Sequence, residues 1–139
     1  MTSSSRERAT THDQPLAGRR YLVLEDDYLI ATALADMLMS QGASVAGPVA
    51  SVIDAGHLLE KTDRLDGAIV DINVAGTVAY GIVELLEERG VPCIFVTGYK
   101  ASGIPERFAH IPCIEKPTGC SAIIDALRGL PAGDVVPGA

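Results

Sequence analysis

Five short apolar runs recur along the chain, and most of them stop at a residue that can do chemistry. Tyr21-Leu22-Val23-Leu24 stops at Glu25, and Gly67-Ala68-Ile69-Val70 stops at Asp71. Cys93-Ile94-Phe95-Val96 stops at Thr97, and Ile111 to Ile114 ends just before Lys116. A weaker run covers Ser44 to Val49. Runs this short and this uniformly apolar read as strands buried on both faces. Between them the stepping becomes helical: Leu29, Ile30, Ala33, Leu34, Met37, Leu38; then Val52 to Glu60; then Tyr80, Ile82, Val83, Leu85, Leu86; then Ser121 to Leu130. Asp26 or Asp27 can cap the first helix, with Gly42 just past its end; Ser51 can cap the second, and Arg89-Gly90 closes the third. Residues 72–78 read as a loop. Strands alternating with helices imply parallel strands joined by right-handed crossovers, a three-layer doubly wound α/β sandwich with five strands. The alternation alone leaves the strand order open.

The length of 139 residues suits one domain, and 47% hydrophobic residues suffice for a core without disulfides or structural metal. Residues 1–18 are rich in Ser, Thr and Arg, lack apolar periodicity and read as a disordered tail. The folded unit is expected over 19–130, followed by a flexible tail, 131–139, with two prolines and two glycines. No apolar run has the length of a membrane span or the form of a signal peptide, so a soluble, cytoplasmic protein is expected. The net charge of −7 argues against binding to nucleic acid or an acidic membrane. Cys93, Cys113 and Cys120 form no C-x-x-C pair and read as small buried hydrophobes in a reducing compartment.

In doubly wound folds, ligands sit outside the carboxyl ends of the strands. The first strand delivers Glu25 and Asp26 there, with Asp27 next; the others deliver Asp71, Thr97 and Lys116. Each has a plain structural reading alone: a helix cap, a turn residue, a surface lysine. Their coincidence at four strand ends does not. Carboxylates ~4 Å apart repel by ~4 kcal/mol at an effective dielectric near 20, so the cluster calls for a cation. An oxygen-rich site without thiol or imidazole suits Mg²⁺. Lysine and threonine can meet the remaining oxygens of a phosphoryl group, which makes this a phosphoryl-transfer site with a carboxylate nucleophile.

Leu22-Val23-Leu24-Glu25-Asp26-Asp27, Ile69-Val70-Asp71-Ile72-Asn73, Phe95-Val96-Thr97-Gly98 and Glu115-Lys116-Pro117 together resemble the signature of response-regulator receiver domains. The resemblance spans roughly Arg20 to Leu130. It implies a flavodoxin-like strand order 2-1-3-4-5. It also implies roles: Asp71 as phosphoacceptor, Asp26 as direct Mg²⁺ ligand with Glu25 as its partner, and the backbone carbonyl of Asn73 as a further ligand. Thr97 resembles the hydroxyl that moves toward the phosphoryl group, and Lys116 the ammonium that pairs with Asp71 and then with the phosphoryl. The implied protein is a stand-alone regulator, not an enzyme. It takes its phosphoryl group from a histidine kinase or histidine phosphotransfer protein and acts through a downstream protein target. A phosphate sink, or a non-phosphorylated interaction module of the same fold, is the alternative. A cis Lys116–Pro117 bond is also implied.

The stretch Phe95 to Tyr99, with Pro105, Phe108 and Pro112 beyond it, resembles a subgroup with a Phe-Ala-Thr-Gly motif, from which Val96 departs. Cys113 stands where most receivers carry an aromatic residue, and Thr118 where they carry phenylalanine. Gly98, Gly103 and Pro105 disfavour a regular helix after Thr97, leaving one turn near Pro105 to Ala109 anchored by Ile104 and Phe108. Residues 98–104 are expected to be irregular and mobile, and to order on phosphorylation, with Tyr99 near the acyl phosphate. An aspartate-nucleophile phosphohydrolase is disfavoured because Asn73 stands where its general acid would be. A flavin carrier is disfavoured because the first loop is acidic and would repel phosphate.

Overall fold

The computed structural model describes residues 14–98, 103–116 and 118–131. Strands β1 (Arg20–Leu24), β2 (Ser44–Val49), β3 (Gly67–Val70), β6 (Cys93–Thr97) and β7 (Cys113–Glu115) form one five-stranded sheet in the order β2-β1-β3-β6-β7. All its pairings are parallel. Counted along the chain without the short β4 (Asn73–Val74) and β5 (Thr77–Val78), this is the flavodoxin-like order 2-1-3-4-5. Helices α1 (Tyr28–Ser40), α2 (Val52–Lys61), α3 (Tyr80–Glu88) and α4 (Cys120–Arg128) cover the sheet. Leu22, Leu24, Ala68, Val70 and Phe95 face one apolar cluster with α2 and α3; Tyr21, Val23, Ile69, Ile94 and Val96 face the other with α1 and α4. Alternate residues of each central strand therefore bury on opposite sides, which is why these runs contain no polar positions.

The expected caps are present. Asp27, not Asp26, caps α1 by accepting a hydrogen bond from the Ile30 amide at 3.1 Å. Ser51 caps α2 through the Asp54 amide at 3.1 Å.

Four features of the backbone differ from the sequence expectation. Residues 14–18 are not tail: Leu16 is fully buried, and its amide donates to the Gln41 carbonyl at 3.2 Å. Gly42 makes this possible, with a φ of 89° and a position where a Cβ would lie 2.9 Å from the Ala17 Cα. A lone leucine carries no periodicity, so the sequence pattern could not register this contact. Residues 1–13 and 132–139 lie outside the described residues.

The expected loop 72–78 contains a hairpin, β4 (Asn73–Val74) and β5 (Thr77–Val78), paired antiparallel. Its two turn residues, Ala75 and Gly76, have φ of 52° and 83°. Positive φ at both central positions is the signature of a type I′ turn, whose twist matches that of the strands it joins. The last strand is shifted to Cys113–Glu115, because Ile111 is used by the preceding turn instead. The last helix starts at Cys120 and ends at Arg128.

The short turn expected near Pro105 is a 3₁₀ turn, Glu106–Phe108. Phe108 is its apolar anchor, stacked on Tyr80 of α3 with ring centroids 5.0 Å apart, and Ile104 packs against the same core. Arg107 pairs with Glu84 at 3.3 Å and His110 with Glu87 at 2.9 Å, so one stripe of α3 holds the segment. Residues 99–102, including Tyr99, lie outside the described residues, as does Pro117. Most of the 98–104 segment, expected to be mobile, and the expected cis Lys116–Pro117 bond fall there.

The cysteines divide. Cys93 is buried, Cys113 half-buried and Cys120 exposed, so the uniform buried reading fails for Cys120. Burial, then the charge of Glu87, pushes the Cys93 thiol up to about 12. Its thiolate fraction at pH 8 is then about one in ten thousand, and only the thiolate reacts. Burial and then Glu115 raise Cys113 as well. In the folded protein a maleimide is therefore expected to label Cys120 first and Cys93 only on unfolding. Time-resolved peptide mass spectrometry checks this; early labelling of Cys93 would contradict it.

Candidate functional site

The chain runs from β1 outward to β2 and then back across to β3, so the crevice between β1 and β3 lies at the topological switch point. β1 ends at Leu24 and β3 at Val70, so Glu25 and Asp71 are the first residues beyond them. Their backbones are locked by the ladder: the Asp71 amide donates to the Leu24 carbonyl and the Glu25 amide to the Val49 carbonyl, both at 3.0 Å. Thr97 is the last residue of β6, and the Lys116 amide donates to its carbonyl at 2.9 Å.

The sequence-predicted residues meet. Lys116 Nζ lies 2.8 Å from Asp71 Oδ2 and 2.7 Å from Glu25 Oε1. Thr97 Oγ1 donates to Asp71 Oδ1 at 2.9 Å, and the Asn73 amide donates to the same oxygen at 3.3 Å. The threonine hydroxyl, expected to move inward, already rests against the carboxylate here. Carboxylate oxygens of Glu25, Asp26 and Asp71 lie within 4.8 Å of one another. Glu25, Asp71 and Thr97 are buried, whereas Asp26 is exposed.

Burial pushes Glu25 above its ordinary 4.5, and the Asp71 charge adds to this, against the hydrogen bonds from Lys116 and the Asp27 amide. Burial pulls the Lys116 ammonium down, but hydrogen bonds and charge from Asp71 and Glu25 outweigh it and raise it above 10.5. With the folded value raised, the contribution of Lys116 to stability is complete below 10.5. It is lost as pH rises through the folded value.

One ammonium thus faces two buried carboxylates, with a third carboxylate beside them at the surface. The donor set is oxygen only, with room for more ligands on the exposed side, which fits a hard divalent cation such as Mg²⁺. Asn73 lies at the start of the hairpin, two residues beyond Asp71. Two donors escaped the sequence reading. The Asp27 amide donates to Glu25 Oε2 at 3.0 Å, and the Ala75 amide to Asp26 Oδ2 at 3.0 Å. The second depends on the hairpin. Gly76, between Ala75 and Thr77, was its available signal, masked because Ala75 stands where Asn or Asp usually marks such a turn.

No family model matches the chain, and neither does any curated protein. Solved structures do. SdrG from Sphingomonas melonis Fr1 is 31% identical, with a TM-score of 0.70 over 78% of this chain and 92% of SdrG. The receiver domain of the PhyR response regulator from Erythrobacter litoralis is 27% identical, with a TM-score of 0.67 over 81% of this chain and 89% of that domain. The chain belongs to the response-regulator receiver family. A CheY-like receiver domain from Methylobacillus flagellatus, 21% identical, shares the fold, with a TM-score of 0.65 over 78% of this chain and 98% of that one. The receiver fold points to a signalling switch in place of a conventional enzyme. Among the described residues, no helix of this receiver is long and apolar enough to cross a membrane.

Proposed function

We propose that this receiver accepts a phosphoryl group on Asp71 in a Mg²⁺-dependent reaction, with Thr97 and Lys116 as the groups that hold it. The observation that carries the reading is the Asp71 carboxylate itself. It is buried at a strand end and bonded to Thr97 on one oxygen and Lys116 on the other, with Glu25 and Asp26 alongside. Asp26, Glu25, Asp71 and the Asn73 carbonyl would hold Mg²⁺, which when bound offsets charge on the transferring phosphoryl oxygens.

One Asp71 oxygen attacks phosphorus, and the bond to the donor's leaving group breaks as the new one forms. For a phosphohistidine donor the imidazole takes back the bonding pair. Lys116 then passes from the carboxylate to a phosphoryl oxygen, keeping a counter-charge beside the anion throughout. Thr97 donates a hydrogen bond from its hydroxyl to another phosphoryl oxygen. Asn73 supplies no general acid, so hydrolysis of small phosphomonoesters is not part of this chemistry. The donor is a histidine kinase or histidine phosphotransfer protein, and the output is contact with a downstream protein in the cytoplasm.

The test is intact-mass analysis with acetyl phosphate. The protein is expected to gain one phosphoryl mass with Mg²⁺ and none in EDTA. Asp26→Ala is expected to lose both Mg²⁺ binding and the mass gain. Undiminished phosphorylation in EDTA would sink the metal dependence.

A further inference from the structure

We infer that the β4–β5 hairpin is a positioning device for the cation site: its Ala75 amide holds Asp26 by one carboxylate oxygen and leaves the other for the metal. The inference rests on the metal-dependent reading above and extends it to residues outside the strand ends.

The charges around the site are unequally matched. Lys116 pairs with Glu25 and Asp71. Asp71 also accepts from Thr97 and the Asn73 amide, and Glu25 from the Asp27 amide. Among the described residues no ion pair reaches Asp26. Its hydrogen bond comes from Ala75, 49 positions along the chain, to Oδ2 at 3.0 Å. Among the described residues, Asp26 is thus the carboxylate of this cluster that is held by a backbone amide and meets no counter-charge.

The Ala75 amide reaches it because of the turn. Ala75 sits at φ 52°, a left-handed conformation that a residue with a Cβ adopts at a penalty. Such conformations persist where the surroundings over-determine them, and they cluster at functional sites. Here the surroundings are identifiable. Val74 is buried in the core, and the Ala79 amide closes the base of the hairpin on the Ile72 carbonyl at 2.7 Å. The same hairpin begins at Asn73, whose carbonyl is one of the proposed ligands. One small rigid unit therefore carries a ligand and clamps another. Holding Asp26 in place before the cation arrives removes an ordering penalty from binding.

Gly76 gives a clean test. Its φ is 83°, and a Cβ there would meet nothing within 4 Å, so Gly76→Val strains the backbone without a clash at its Cβ. Gly90 is matched to it: φ 73° and equally open, but it follows α3 at the opposite edge of the sheet. Titration calorimetry with MgCl₂ alone is expected to show about tenfold weaker binding for Gly76→Val, the usual penalty of one left-handed residue. Gly90→Val should match the wild type, and Ala75→Gly, which tolerates the turn, should bind at least as well. Independently of any metal, Asp26→Ala should speed hydrogen exchange at the Ala75 amide. If the wild type binds Mg²⁺ and Gly76→Val binds equally well, the positioning role is overturned and the metal reading survives. If the wild type does not bind Mg²⁺, both fall. Unchanged Ala75 exchange in Asp26→Ala also overturns the positioning role, even should Gly76→Val fail to fold.

Discussion

Asp71→Asn is expected to abolish phosphoryl uptake from acetyl phosphate while leaving the fold intact. The substitution keeps the shape of the side chain and replaces a carboxylate oxygen with an amide nitrogen, which removes the nucleophile. Lys116 loses one of its two anionic partners and keeps Glu25, 2.7 Å away. The crowding among three carboxylates is relieved by removing one. The backbone amide of residue 71 stays in the ladder through its bond to the Leu24 carbonyl. Intact mass after incubation with acetyl phosphate and Mg²⁺ is the measurement, with circular dichroism confirming the fold. A mass gain equal to that of the wild type would show that the acceptor is another residue. The first candidate would be Thr97, whose hydroxyl lies 2.9 Å from Asp71. A phosphothreonine survives hydroxylamine and an acyl phosphate does not, so the two acceptors can be told apart.

Phe95→Ala is expected to destabilise the protein by about 3–5 kcal/mol, the range for removing a fully buried phenylalanine. Phe95 is 0% exposed and sits mid-strand, paired with Val70 on one side and Cys113 on the other. It belongs to the cluster that includes Phe108, Val70 and Leu24. Loss of that size is a large part of the stability of a domain this small, and it should lower Tm by roughly 10–20 °C. Ile53→Ala is the contrast: Ile53 is 71% exposed on α2, and its loss should stay within about 0.5 kcal/mol. Urea unfolding of both variants decides the matter. Because Phe95 lies two residues before Thr97, the first variant should also loosen the grip on Asp71. A shift below about 1 kcal/mol would mean that the core around β6 repacks freely, contrary to the usual cost of such a cavity.

The apolar runs identified the sheet because each central strand is buried on both faces, and that burial leaves a local mark. Leu22 and Leu24 face one cluster, Tyr21 and Val23 the other, and no polar residue interrupts either set. The site residues were legible for a related reason. In a parallel sheet, the residues at or just past the carboxyl end of each strand are delivered to one shared edge, so Glu25, Asp71, Thr97 and Lys116 meet without long-range information beyond the topology. Strand order came from the family resemblance, since alternation fixes only the direction of the strands.

What remained illegible involves contacts whose partners share no pattern in the chain. Leu16 packs beneath the end of α1 because Gly42 lets the backbone approach, and neither residue announces the other. The Ala75 amide finds Asp26 across 49 residues through a turn that alanine does not advertise. The exposure of Cys120 against the burial of Cys93 depends on where α4 begins. Periodicity records which face of an element is dry, because burial repeats along the chain with the geometry of that element. A single close approach between distant backbones does not repeat, so the tertiary structure alone decided the packed turn at residues 14–18 and the hairpin that holds Asp26.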